Sequence, residues 1–207
     1  MNKINYQKEL DKIIERNKRE DALPSLLLHS CCAPCSSYTI EYLSDYFKIT
    51  VLYYNPNISP REEYEKRKAE QIRLINSLPV KNRVDFLDCD YDSREFFDIA
   101  KGYESCKEGG ERCFRCYELR LREAAKKARE EGFDYFCTTL SISPLKNAQR
   151  INEIGLKLQG EYGVMWLPSD FKKREGYKRS IELSREYNLY RQSFCGCVFS
   201  KKEASHE

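Results

Sequence analysis

The sequence predicts an α/β protein built on a parallel sheet of about five strands with helices on both faces. Three observations carry this. Five short apolar or β-branched runs alternate with segments of helical period; no repeat, low-complexity block or linker divides the 207 residues; and 41% hydrophobic residues, 13% aromatic, are enough for one core of that size. A single domain over residues 1–207 is therefore expected, with an N-terminal helix at about 5–19 and a C-terminal Cys-Gly-Cys segment.

Tyr6, Leu10, Ile13 and Ile14 recur at helical spacing and predict the first helix, which Pro24 closes off. Leu26 to Leu28 read as a buried strand delivering the chain into His29-Ser30-Cys31-Cys32-Ala33-Pro34-Cys35. Tyr38, Tyr42 and Leu43 then form a helical face, and Ile49 to Tyr54 a second strand. Ser59-Pro60-Arg61-Glu62 reads as a capping box with Pro at the first helical position, opening a helix to about Ser77. Val84 to Leu87 is the third strand, followed by a loop holding Asp88, Cys89, Asp90 and Asp92 and a short helix from Ser93 to Ala100. Cys113-Phe114-Arg115-Cys116 opens a long helix that ends at Gly132. Strands Tyr135 to Leu140 and Val164 to Leu167 flank another helix, and a last helix at about 176–187 leads to Cys195-Gly196-Cys197 and a charged tail.

In such sheets ligands bind beyond the carboxyl ends of the strands. The loops of Cys31, Cys32 and Cys35, of Asp90, and of Ser141, Ser143 and Pro144 should therefore open onto one rim.

Composition excludes several classes. The longest apolar run is a handful of residues, well short of the roughly 20 that span a bilayer. Residues 1–20 are studded with charge and lack the apolar stretch of a signal peptide, so a cytoplasmic protein is expected. In that compartment ten cysteines argue for metal or redox chemistry rather than a disulfide framework. The charge-rich, Met-poor composition keeps one exception open, since some thermophiles retain intracellular disulfides.

No glycine occurs between Met1 and Tyr54, so the loop after the first strand is no Gly-rich phosphate cradle. Thiols stand there instead, at a helix N-terminus that favours thiolates. Adjacent Cys31 and Cys32 can diverge to reach two metal atoms of one cluster, which favours a polynuclear site. Cys113 and Cys116, at i and i+3, share one helix face near the positive end of the dipole. Four thiolates suit a four-iron four-sulfur cluster and equally a structural zinc, and ligand type does not separate the two.

Cys195-Gly196-Cys197 fits a redox dithiol, because a disulfide across so tight a ring is strained and readily reduced; metal ligation is the other reading. Cys137, inside a strand, reads as a small buried apolar residue, while Cys89 and Cys106 are less informative. His29 and His206 are too few for a His-based metal site, and His29 reads as a hydrogen-bonded core residue. Asp88, Asp90 and Asp92 could supply an acid or a hard ligand, Asp90 being nearest the strand end, although an acidic loop is a solvated turn in most proteins. The total charge is only +3, yet Lys172, Lys173, Arg174, Lys178 and Arg179 crowd around Tyr177, a pattern that fits phosphates and a splayed RNA base. Arg61, Arg67 and Lys68 form a second basic set, for which a solvated helix face is at least as good a reading.

With these motifs placed, the chain resembles the epoxyqueuosine reductases of the QueH family. The resemblance rests on His29 to Cys35, on Cys113-x-x-Cys116 with Arg120-Leu121, on Thr138-Thr139-Leu140 with Ser143-Pro144, and on Arg191-Gln192 before Cys195-Gly196-Cys197. It implies a Rossmann-like fold of the adenine-nucleotide hydrolase type. It also implies reduction of the epoxide of epoxyqueuosine, at the wobble position of a tRNA anticodon, to the alkene of queuosine, with an iron–sulfur cluster and no cobalamin. The implied cluster ligands are Cys31, Cys32, Cys113 and Cys116, the redox pair is Cys195 and Cys197, and Cys35 is a further candidate metal ligand.

Removing an epoxide oxygen as water takes two electrons and two protons, while one such cluster passes one electron at a time. The second electron would come from the Cys195/Cys197 dithiol, or from a second, mononuclear iron held by leftover thiols and Asp90, with an external electron donor restoring the site. A zinc-stabilised RNA-binding module and a tRNA-thiolating enzyme are the alternatives, the latter disfavoured by the missing phosphate loop.

Overall fold

The computed structural model describes residues 4–204; His206 lies outside them. Five strands, β1 (Ser25–His29), β2 (Lys48–Tyr53), β3 (Asp85–Asp88), β4 (Tyr135–Thr138) and β5 (Met165–Trp166), form one sheet in the order β3-β2-β1-β4-β5. Every pairing is parallel, as the alternation of strand and helix signals requires. Leu26, Leu27 and Leu28 are wholly buried because β1 is central and covered on both faces, which is why its sequence is an unbroken apolar run.

The helices are α1 (Tyr6–Arg19), α2 (Ala33–Leu43), α3 (Arg61–Ser77), α4 (Arg94–Ala100), α5 (Glu111–Glu130), α6 (Ala148–Tyr162), α7 (Gly176–Glu186) and α8 (Val198–Ala204). The chain travels from β1 out to β3, then returns across the sheet to β4 and β5. Right-handed crossovers therefore put α2 and α3 on one face and α4, α5 and α6 on the other, and the packing of α2 against α3 and α7, and of α5 against α4 and α6, follows that division. The reversal falls between β1 and β4, so the loops after those two strands separate there and leave a crevice.

Local chemistry fixes the elements around that crevice. Asn5 caps α1 by accepting from the Lys8 N–H at 3.2 Å, and Asn147 caps α6 by accepting from Arg150 at 3.0 Å. The short strand β5 is pinned to α6 by Trp166, whose Nε1 donates to Asn152 at 2.9 Å and whose ring sits where a Cβ on Gly155 would stand only 2.2 Å away.

Three local expectations need correction. The capping box at Ser59–Glu62 does not form: Pro60 takes the cap position without a side-chain bond, and the Ser59 N–H is committed to the carbonyl of Gly196 at 2.9 Å. The fourth strand stops at Thr138, where the Thr138 hydroxyl accepts from the Leu140 N–H and starts a 3-10 turn over Thr139–Ile142. The charged tail, in turn, begins as helix α8. No helix among the described residues is long and apolar enough to cross a membrane.

Candidate active site

Thiols from three parts of the chain gather at the β1/β4 crevice. Cys31, Cys32 and Cys35 lie between the end of β1 and the first turn of α2, with their sulfurs within 4.8 Å of one another and Cys31 Sγ 3.8 Å from Cys32 Sγ. Cys32 is the N-cap residue of α2, and Pro34 fits the first turn because no N–H is needed there. The loop is braced from behind. Ser30 and Ser36 each donate to Oε1 of Gln71 on α3 at 2.7 Å, and Asn55 donates to the Ser30 carbonyl at 2.8 Å.

His29 anchors the same loop as a core residue. Its Nε2 lies 3.0 Å from the Tyr54 carbonyl, which can only accept, so Nε2 carries the proton and Nδ1 accepts from the Thr138 hydroxyl at 2.9 Å. Burial, reinforced by the charge of Arg120, lowers its pKa to about 4 and keeps the ring neutral.

Hydrogen bonds from Cys32 and Cys35, helped by the Arg120 guanidinium, hold the Cys31 thiol well below its ordinary range. Cys32 is pushed up to about 12, chiefly by its bond to Cys31, and Cys35 is raised for the same reason. Three sulfurs this close are a donor set that could hold a soft metal ion.

The second group comes from α5 and the C-terminal segment. Cys113, Cys116, Cys195 and Cys197 line a cavity together with Tyr117 and Arg120. Cys113 accepts from the Gly109 N–H at 3.3 Å, and burial pushes Cys116 up to about 12 against the pull of Arg120. The Cys-Gly-Cys sulfurs point to different neighbours. Cys195 Sγ is 3.1 Å from Lys146 Nζ, which also donates to Glu108 at 2.9 Å, whereas Cys197 packs with Phe96 and Cys116 and lies 3.4 Å from the Ser200 hydroxyl. Both cysteines are free thiols.

Arg120 links the two groups. It is 1% exposed, its Nε donates to the Cys116 carbonyl at 3.2 Å, and its charge acts on Cys31, Cys116 and Cys195 together. Its Nη2 has no hydrogen-bond partner among the described residues, and neither does the Tyr117 hydroxyl in the same cavity. Two buried donors without acceptors, facing an all-sulfur ligand set, fit an anionic metal–thiolate or iron–sulfur cluster.

Adjoining the thiol cavity, and sharing Glu108, Lys146 and Cys195 with it, is a mouth lined by Cys31, Cys35, Leu145, Tyr177 and Gln192. The Gln192 side chain hydrogen-bonds Cys32, and its Oε1 is buried without a partner. Ser143 lines this mouth too, so the loops after β1 and β4 share one rim as expected. The Asp90 loop does not join them. β3 is the sheet's edge strand, two places from β1, and Asp90 is exposed in a separate cavity with Tyr54, Cys89 and Glu123.

Cys137 is wholly buried and donates to the Leu167 carbonyl at 3.3 Å, while the Cys106 carbonyl accepts from Arg112. Arg67, grouped above with a solvated face, is instead 1% exposed. Most of the other basic set is ion-paired: Lys172 with Asp170, Arg174 with Asp11, Lys178 with Glu175 and Arg179 with Glu41. Lys146 and Glu108 carry no sequence signal that separates them from surface charges.

A family model described as "Epoxyqueuosine reductase QueH" matches residues 26–203, which contain all of these thiols. The chain belongs to the QueH family. It is 48% identical over 202 residues to the epoxyqueuosine reductase QueH of Staphylococcus epidermidis, covering 96% of this chain and 85% of that one. Against the QueH protein of Streptococcus pyogenes the identity is 45%, over 97% of this chain and 79% of the relative. Among solved structures it is similar to the U34-tRNA thiolase NcsA of Methanococcus maripaludis, with a TM-score of 0.41 and 9% identity over 97% of this chain and 80% of that one.

Proposed function

We propose that this chain is an epoxyqueuosine reductase, reducing the epoxide of epoxyqueuosine at the wobble position of a tRNA anticodon to the alkene of queuosine, the last step of queuosine biosynthesis. The observation that carries the reading is the convergence on one crevice of seven free thiols around a buried guanidinium, in a chain of the QueH family. A cytoplasmic enzyme acting on tRNA is part of the same reading.

Cys31, Cys32, Cys113 and Cys116 are the proposed ligands of a four-iron four-sulfur cluster. The closeness of Cys35 to Cys31 and Cys32 supports it as a further metal ligand. Bound there, the cluster would supply electrons one at a time. In the overall reaction both epoxide C–O bonds break, the oxygen takes up two protons and leaves as water, and two electrons complete the carbon–carbon double bond. Cys195 and Cys197, going from dithiol to disulfide, would release two electrons and two protons, and an external electron donor would restore them. Cys35, beyond the four cluster ligands, is alternatively available to a second iron; Asp90, in its own cavity, supports no part of that version.

The protein's fixed groups have plain tasks in this scheme. Burial works against the Lys146 charge, but Cys195, Tyr117 and Glu108 hold the ammonium protonated, so it keeps an N–H donor beside the Cys195 sulfur. Arg120 and Tyr117 offer their unpaired donors to the cluster's negative charge. Gln192 Oε1 stands at the mouth as an acceptor for an N–H or O–H of the incoming nucleoside.

The test is anaerobic purification followed by turnover. Brown protein with roughly four irons per chain that converts epoxyqueuosine-containing tRNA when given a low-potential reductant is expected. Cys113→Ser should lose iron; Cys195→Ser and Cys197→Ser should keep iron and lose turnover. A colourless protein holding one zinc, binding tRNA without reducing it, overturns the reading in favour of a binding module.

A further inference from the structure

Beside the thiol cavity lies a second concavity that no step of the reaction uses. It is a cleft of 630 Å³ whose wall carries the amides Asn5, Asn147 and Gln149 and the cations Lys172 and Lys173. That size is in the range of small-ligand sites. Asp170, its carboxylate, is already paired with Lys172 at 2.7 Å.

Leu145 and Lys146 line both concavities, and so form the ridge between them. Leu145 is 72% exposed, the most exposed of the large hydrophobic side chains described. It is not on a loose loop. Its N–H bonds the Ser143 hydroxyl at 3.3 Å, the next N–H bonds the Ser143 carbonyl at 3.1 Å, and Lys146 is buried and tied to Glu108 and Cys195. Tyr177, 38% exposed, lines the same cavity as Leu145.

A large apolar side chain held out in water between a reaction cavity and a polar cleft matches the way proteins part stacked bases. Apolar wedges enter between neighbouring bases, amides read base edges, and cations meet the phosphates that follow. An enzyme that works on one base takes that base out of its stack or acts on an unstacked strand.

We propose that Leu145 is a wedge between two consecutive nucleotides of the anticodon loop: the modified nucleotide enters the thiol cavity, and its neighbour enters the cleft of Asn147, Gln149 and Lys173. This inference rests on the proposed function, since it takes tRNA as the substrate. Tyr177, in the lining of the thiol cavity, offers a stacking surface to the entering nucleotide. Leu145 contributes nothing to the thiol chemistry, so its loss should act on RNA engagement alone.

The test uses the anaerobically purified holoprotein and two anticodon stem-loop RNAs, each with a fluorescent adenine analogue that brightens on unstacking, placed on the 5′ or the 3′ side of the wobble nucleotide. Binding by the wild-type protein should brighten one reporter several-fold. Leu145→Ala, with its iron content and melting temperature unchanged, should abolish that gain and raise KM for tRNA by about tenfold, the loss expected from one buried leucine side chain. Lys173→Ala and Gln149→Ala should raise KM in the same direction. No brightening of either reporter, or equal brightening by wild type and Leu145→Ala, overturns the wedge. Reduction of epoxyqueuosine tRNA measured in parallel separates the two failures: turnover with a silent reporter sinks the wedge alone, whereas a protein that neither binds nor reduces the RNA sinks the assigned function and the wedge with it.

Discussion

Arg67 donates from Nη1 to the carbonyl of Cys195 at 3.0 Å, reaching across from α3 to hold the C-terminal thiol segment against the site. The same guanidinium bonds Glu63 at 2.7 Å and the Phe194 carbonyl at 3.4 Å, and stacks over the Phe194 ring. Replacing it with methionine keeps most of the volume but leaves Glu63 with the Tyr190 hydroxyl in place of a cation and frees two carbonyls. Removing one partner of a buried pair costs about 3–5 kcal/mol, so Arg67→Met should lose that much in urea unfolding and expose Cys195 to faster alkylation. A loss below about 1 kcal/mol would mean that the pair behaves as an exposed one and does not fix the segment.

Gly196 is the other half of the clamp. Its φ of +121° lies where side chains are strained, and a Cβ there would stand 3.0 Å from both Arg67 Nη1 and Ile58 Cγ1. Gly196→Ala should cost about 1–3 kcal/mol and reduce turnover more than it reduces iron content, because Cys195 and Cys197 would shift while Cys31 and Cys113 stay. Iron and turnover falling in step would instead place Gly196 under the cluster.

His29 gives a pH dependence with a definite sign. Its pKa falls from 6.5 to about 4 on folding, so between those values the unfolded chain binds the proton and the folded chain does not. Stability is therefore lost as pH falls through that window, by about 3 kcal/mol in all. Carboxylates paired in the fold act in the same direction at lower pH, so the measurement is the difference between wild type and His29→Gln. That difference should shrink steadily below pH about 6.5; a difference flat with pH contradicts the neutral buried ring.

Most helices and strands were legible because they carry their period, α8 and the early end of β4 being the exceptions, and the thiols were legible as a site because the chain puts them at strand ends and helix starts. The charges that organise the site were not, although two of them left a trace. Arg67 shares a helix face with Tyr64, Gln71 and Leu74, all buried, and Arg120 follows Cys113, Cys116 and Tyr117 on the buried side of α5. A charge that falls at the buried positions of a helix period is the trace such a residue leaves in the sequence. Lys146 sits in a loop where no period exists to place it, and the isolation of Asp90 follows from strand order, which local patterning does not encode.

Arg120 should show opposite effects with and without metal. In the metal-free protein its guanidinium is a buried charge with one nitrogen unpaired, a costly state that Arg120→Met removes without leaving a cavity. Removing a buried charge whose donors are not all met removes its desolvation cost, so metal-free Arg120→Met should melt at or above the wild-type temperature. In the loaded protein the same change removes the cation facing the thiolates of Cys31 and Cys116, and iron retained through anaerobic purification should fall. The two measurements together decide the point. A metal-free variant that melts several degrees lower shows that the thiolates already satisfy Arg120 by themselves, and a variant with full iron shows that the cluster does not lean on its charge.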